Sequence, residues 1–187
     1  TEGCSTAPDG RVFFTDQPND KIYFWSEKDS IILFKEGCER SNGTIFDKLG
    51  NLVCCADLHN RLISFNLAGD ITEVFSRGYN GMHLNGPNDL WVRPDGGLYF
   101  TDPFYKRPYW NRGPKEQDGE CVYFLSPDGK TLRRVADDLV QPNGIIGTPD
   151  GKTLYVADIR AGKTYAYAIQ PDGSLTNKRL FCELGSD

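Results

Sequence analysis

The stretch Pro94-Asp95-Gly96-Gly97-Leu98-Tyr99-Phe100-Thr101-Asp102 is a turn followed by a strand, and it recurs along the chain. RVFFTD at 11–16 follows Pro8-Asp9-Gly10, and TLYVAD at 153–158 follows Pro149-Asp150-Gly151. NLVCCAD at 51–57 follows Asp47-Lys48-Leu49-Gly50, which does the same job. Asp-Gly supplies the positive φ of a tight hairpin, so each turn joins two antiparallel strands.

Two further strand-like runs follow each of these phrases. They are Lys21 to Trp25 and Ile31 to Phe34, then Arg61 to Phe65 and Ile71 to Phe75. The third pair is Cys121 to Leu125 and Leu132 to Ala136, and the fourth is Thr164 to Ile169 and Arg179 to Glu183. β-branched and aromatic residues dominate these runs, and Gly, Pro, Asp and Asn separate them. No segment carries a helical period. Upstream, each unit opens on a similar phrase: Ser41-Asn42-Gly43, Pro87-Asn88-Asp89 and Pro142-Asn143-Gly144. Glu2-Gly3 opens the chain in the same context, and Ser186-Asp187 closes it.

Four strands per unit, recurring at roughly 40–55 residues, predict an all-β fold, a β-propeller of four-stranded blades. A sandwich would not produce a recurring four-strand phrase. Residues 1–187 read as one propeller domain with units 1–41, 42–87, 88–142 and 143–186, and a fifth unit starting at Asp187. About four blades of a larger ring are therefore expected, with an apolar blade face left unpaired.

Composition narrows the function. The formal net charge of −5 argues against nucleic acid as a partner. No apolar run approaches the roughly 18 residues of a membrane-spanning helix. Six Cys without a CxxC pair, and only two His, make a structural zinc site improbable. Neighbouring Cys54 and Cys55 point to opposite faces of a strand. Buried free thiols in a reducing compartment, and so a cytoplasmic protein, are expected.

If the first strand of each blade runs down the channel, unit starts and second-strand ends share one face. Glu2, Asn88, Asn143 and Asp187 then offer hard oxygen donors suited to Ca²⁺, Mg²⁺ or Mn²⁺, although Asn-Gly and Asn-Asp also simply form turns. Asp16, Asp57, Asp102 and Asp158 recur in every unit, which marks them as structural caps of the turn after the second strand. Asn42 reads as pocket wall or turn. The longest insertion, Pro103 to Glu120, carries Phe104, Tyr105, Tyr109 and Trp110 with Lys106, Arg107 and Arg112, the makings of a lid over a small polar ligand. His83 lies just before the Asn88 phrase and is a candidate substrate contact. No GxSxG is present, which argues against serine chemistry.

Seven phrases in order then carry a resemblance: Thr1-Glu2-Gly3, PDGRVFFTDQPND at 8–20, RSNG at 40–43, LNGPNDL at 84–90, GGLYFTDP at 96–103, QPNG at 141–144 and PDGKTLYVAD at 149–158. Together they resemble the gluconolactonase branch of the senescence marker protein, gluconolactonase and luciferin-regenerating enzyme family. The resemblance implies a six-bladed ring that hydrolyses a sugar lactone with one divalent cation, Ca²⁺ foremost, with Mg²⁺, Mn²⁺ or Zn²⁺ as alternatives. It places the metal on Glu2, Asn143 and Asp187, makes Asp187 the general base, and sets Asn88 beside the substrate. Independently of the resemblance, Tyr105 and the lid are expected to limit solvent. The rival expectation is a propeller that binds a small ligand or a protein at the channel mouth without turnover.

Overall fold

A computed structural model describes residues 1–28 and 30–185. Its strands form four sheets of four, each antiparallel and wound in chain order from the channel outward. Blade one holds β1 (Glu2–Thr6), β2 (Val12–Asp16), β3 (Lys21–Ser26) and β4 (Ser30–Glu36). Blade two holds β5 (Ser41–Phe46), β6 (Leu52–Ala56), β7 (Arg61–Phe65) and β8 (Ile71–Phe75). Blade three holds β9 (Leu90–Val92), β10 (Leu98–Asp102), β11 (Cys121–Leu125) and β12 (Leu132–Ala136). Blade four holds β13 (Pro142–Gly147), β14 (Thr153–Asp158), β15 (Lys163–Ile169) and β16 (Leu175–Glu183). This is the β-propeller architecture that the repeat predicts. The helical content among the described residues is two short 3₁₀ turns, Gln17–Asn19 and Asp57–His59.

The core lies between blades, in three separate apolar layers. Phe13, Ile22, Leu52, Cys54 and Ile63 fill the first, between blades one and two. Cys55, Leu62, Leu98, Phe100 and Tyr123 fill the second, and Trp91, Tyr99, Val122, Leu154 and Val156 the third. Strand alternation explains how adjacent Cys54 and Cys55 enter different layers. A blade packed on both sides must be apolar on both faces, so every residue of β6, β10 and β11 is buried. The flanking strands β2 and β14 instead alternate between buried and half-buried positions. Accordingly Trp25, Ile31 and Leu33 of blade one and Leu180 and Phe181 of blade four are exposed. All six cysteines are free; four are buried, whereas Cys4 and Cys182 are exposed.

Candidate active site

Three of the four inner strands are broken where they face the channel. The β1–β2 register shifts between Glu2 and Ser5, β5–β6 between Ser41 and Thr44, and β13–β14 between Pro142 and Ile145. Such bulges release one or two residues from the ladder and re-aim their side chains. Here they release Gly3 and Cys4 just after Glu2, Asn42 with Gly43, and Asn143 with Gly144. The freed carbonyls are caught by hydroxyls of the preceding blade: Thr15 donates to Asn42 O (2.9 Å), and Thr101 to Asn143 O (2.7 Å). Thr15 and Thr101 occupy the same place in their FTD phrases, and both are fully buried.

Glycine lets the inner strands converge. A Cβ on Gly43 would lie 2.4 Å from Asp89 Oδ1 and 2.6 Å from Asn88 O. Without one, the Gly43 N–H donates directly to Asn88 O at 2.7 Å. The result is a polar cavity of about 340 Å³ lined by Glu2, Cys4, Asn42, Asn88, Asp89 and Asn143, among others. Glu2, Asn88 and Asn143, which the sequence nominated from three distant segments, thus share one cavity.

Tyr105 belongs to the same place. Asn143 Nδ2 donates to the Tyr105 hydroxyl at 2.9 Å, so the 103–120 insertion reaches the channel through this side chain. Burial pushes the Tyr105 phenol up, and the hydrogen bond from Asn143 opposes that rise. His83 lies elsewhere. It is exposed, its ring Nδ1 is 2.9 Å from Glu116 Oε1, and it lines a separate cavity of about 420 Å³ shared with His59 and Arg112. Asp187 lies outside the described residues.

Asp89 is a site residue that the sequence reading did not single out. Its Oδ1 accepts from Leu90 N and its Oδ2 from Ile145 N, both at 3.0 Å, tying blade three to blade four. Burial pushes its carboxyl up to about 6, against those two hydrogen bonds, and nearby Glu2 adds to the rise. The signal was available: Asp89 stands where the parallel phrases have Gly43 and Gly144. Of the recurrent aspartates, Asp16 caps the turn after the second strand as expected, accepting from Asn19 Nδ2 at 2.9 Å, whereas Asp102 and Asp158 cap a different element. Asp102 accepts from Asn85 N and Gly86 N, and Asp158 from Val140 N and Gln141 N, all at 2.8 Å. They close the entry to the inner strand of their own blade, not the turn after the second strand.

The donor set around the channel suits a hard cation. Its members are the carboxylates of Glu2 and Asp89 and the amides of Asn42, Asn88 and Asn143, with no thiolate or imidazole other than Cys4. Among the described residues, no group of three or more His, Cys, Asp or Glu could hold a metal, so a cation here would draw on amide oxygens. Asn143 uses its N–H on Tyr105, which reserves its amide oxygen for such a role. Asn42 Nδ2 is buried without a protein acceptor, a donor available to a ligand oxygen.

Residues 1–187 match the model of the SMP-30/Gluconolactonase/LRE-like region. The chain belongs to this family. It is 35% identical over 111 residues to a gluconolactonase of Zymomonas mobilis, covering 58% of this chain and 31% of that enzyme. With the lactonase drp35 of Staphylococcus saprophyticus it shares 33% identity over 171 residues, 88% of this chain and 46% of the other. Among solved structures, a gluconolactonase of Xanthomonas campestris superposes with a TM-score of 0.89 at 30% identity, over 96% of this chain and 61% of that one. The chain therefore spans about a third to three-fifths of the length of these family members.

Proposed function

We propose that the protein to which this chain belongs hydrolyses a sugar lactone of the gluconolactone class to its aldonic acid. The observation that carries this reading is the convergence of Glu2, Asn88 and Asn143 in one polar cavity at the mouth of the propeller. The gluconolactonase and lactonase relatives give it its substrate class. When bound, a divalent cation at Glu2, Asn143 and Asp187, with Ca²⁺ preferred, supplies electrophilic polarisation of the lactone carbonyl.

The chain's own residues perform the rest. Asn88 offers its amide to a carbonyl or hydroxyl oxygen of the sugar, and Tyr105 fixes the Asn143 side chain while excluding solvent. Asp187 takes a proton from the attacking water, whose oxygen bonds to the carbonyl carbon. As the ring C–O bond breaks, that proton passes to the departing ring oxygen, so the open-chain acid carries the new hydroxyl. The test is acid release from a panel of aldonolactones by the full-length protein, before and after chelation and with Ca²⁺ restored. Turnover lost on chelation and regained with the ion is expected. Ligand binding without turnover under all of these conditions would favour the non-catalytic reading instead.

A further inference from the structure

Asp57 directly follows the second strand of blade two, at the place where Asp102 and Asp158 end theirs, yet its carboxylate faces different partners. One of the two backbone N–H groups at the corresponding place is already taken, because Asp20 Oδ1 of blade one accepts from Arg40 N at 2.6 Å. Asp57 is 3% exposed, and its Oδ2 instead accepts from the Tyr109 hydroxyl at 2.5 Å and from Trp110 Nε1 at 3.1 Å. Gln17 Nε2 approaches it at 3.4 Å. Arg112 lies 3.6 Å from Oδ1 and Arg107 3.9 Å from Oδ2. Four side chains of the 103–120 insertion therefore converge on one buried carboxylate. A desolvated charge is tolerable only with such partners, so breaking the set is costly for both sides.

The floor beneath this cluster is cut to fit. A Cβ on Gly86 would sit 2.7 Å from Asp57 Oδ1 and 3.2 Å from the Trp110 ring. The Arg112 guanidinium lies over the same ring, 3.3 Å from its centre. From the cluster, contact continues to the channel: Arg107 covers the Tyr105 ring at 4.8 Å, and the Tyr105 hydroxyl accepts from Asn143 Nδ2.

We propose that Asp57 is a positioning residue: it anchors the insertion as a closed lid, so that Tyr105 holds the Asn143 amide in its working orientation. The activity readout of this proposal rests on the lactone reading, but its structural readout does not. The insertion contains Lys106, Arg107, Arg112 and Lys115, of which Arg107, followed by Pro108, resists trypsin and Lys106, Arg112 and Lys115 offer cleavable bonds. Asp57→Ala in the full-length protein should speed cleavage within 106–115 at least about tenfold, with the blade strands still resistant. Tyr109→Phe removes a single hydrogen bond while keeping the ring, and should give a smaller acceleration at the same bonds. Asp57→Glu should partly restore resistance. With an aldonolactone, Asp57→Ala should raise KM about tenfold and change kcat less than about threefold. Unchanged cleavage in both variants, or cleavage spread equally over the blades, would overturn the proposal. A wild type with no lactonase activity but an Asp57-dependent insertion would refute the lactone reading and leave the anchor standing.

Discussion

Replacing Thr101 by valine keeps the shape of the side chain and removes its hydroxyl. That hydroxyl donates to Asn143 O at 2.7 Å and accepts from Asp89 N at 3.2 Å, at a position with no solvent exposure. The variant therefore strands one carbonyl and one N–H, each at a cost of about 1–3 kcal/mol, and about 2–4 kcal/mol is expected after partial relaxation. Thr101→Ser keeps the hydroxyl and removes a methyl, which should cost about 1 kcal/mol. Urea unfolding of wild type and both variants at pH 7 measures the difference through the midpoint, provided the slope is unchanged. Valine should lie at least about 1 kcal/mol below serine. Because Asn143 loses its backbone anchor at the bulge, valine should also lower kcat/KM for an aldonolactone about tenfold or more, with serine near wild type. Equal stability of the two variants would refute the claim that this hydroxyl fixes the site.

Other outcomes follow from single contacts. Burial pushes the Asp102 carboxyl from its ordinary 3.8 up to about 7, so its folded-state value exceeds the unfolded one. The stability that it contributes is full below pH ~4 and is lost as pH rises through about 7. The stability difference between wild type and Asp102→Asn should therefore change across pH 4–8 in urea titrations, and a flat difference would contradict this account. Gly43→Ala places a methyl against Asp89 and Asn88 and should cost about 1–3 kcal/mol. Gly113→Ala, with open space around it, should stay within about 0.5 kcal/mol of wild type, and a thermal scan of both tests the contrast. A disulfide reagent should modify Cys4 and Cys182 in the native protein and reach the other four only on unfolding. Burial raises the Cys38 thiol to about 12 and Cys121 to about 11, so raising the pH to 9 should not speed their reaction.

The blades were readable because their signals are local. An Asp-Gly turn and the alternation around it fix a hairpin without reference to the rest of the chain, and β7, β8, β11 and β12 run over the residues expected. The longer extent of β16, from Leu175, was less visible because Thr176 to Arg179 is polar and its pairing is irregular. Glu2, Asn88 and Asn143 were legible as the first polar residues of repeated phrases. What the sequence could not show was which partner each repeated residue finds. Asp57 and Asp102 close the same repeated phrase, yet Asp20, a residue of another blade, occupies one of the N–H groups at the place corresponding to those that Asp102 accepts from. His83 adjoins the Asn88 phrase in sequence, yet its side chain turns outward to Glu116, since proximity along a loop does not fix direction.

The three apolar layers between blades share almost no members, so the molecule behaves as a stack whose sheets communicate only with the sheet beside them. A defect in the layer that holds Cys54 should loosen the first interface and leave the layer around Trp91 intact, even though both belong to one domain. The channel is the exception, because β1, β5, β9 and β13 meet there in succession and each supplies or adjoins a polar wall residue. Damage that packing keeps local is thus read out jointly at the site: activity responds to every interface, while the local opening of each layer tells which one has failed.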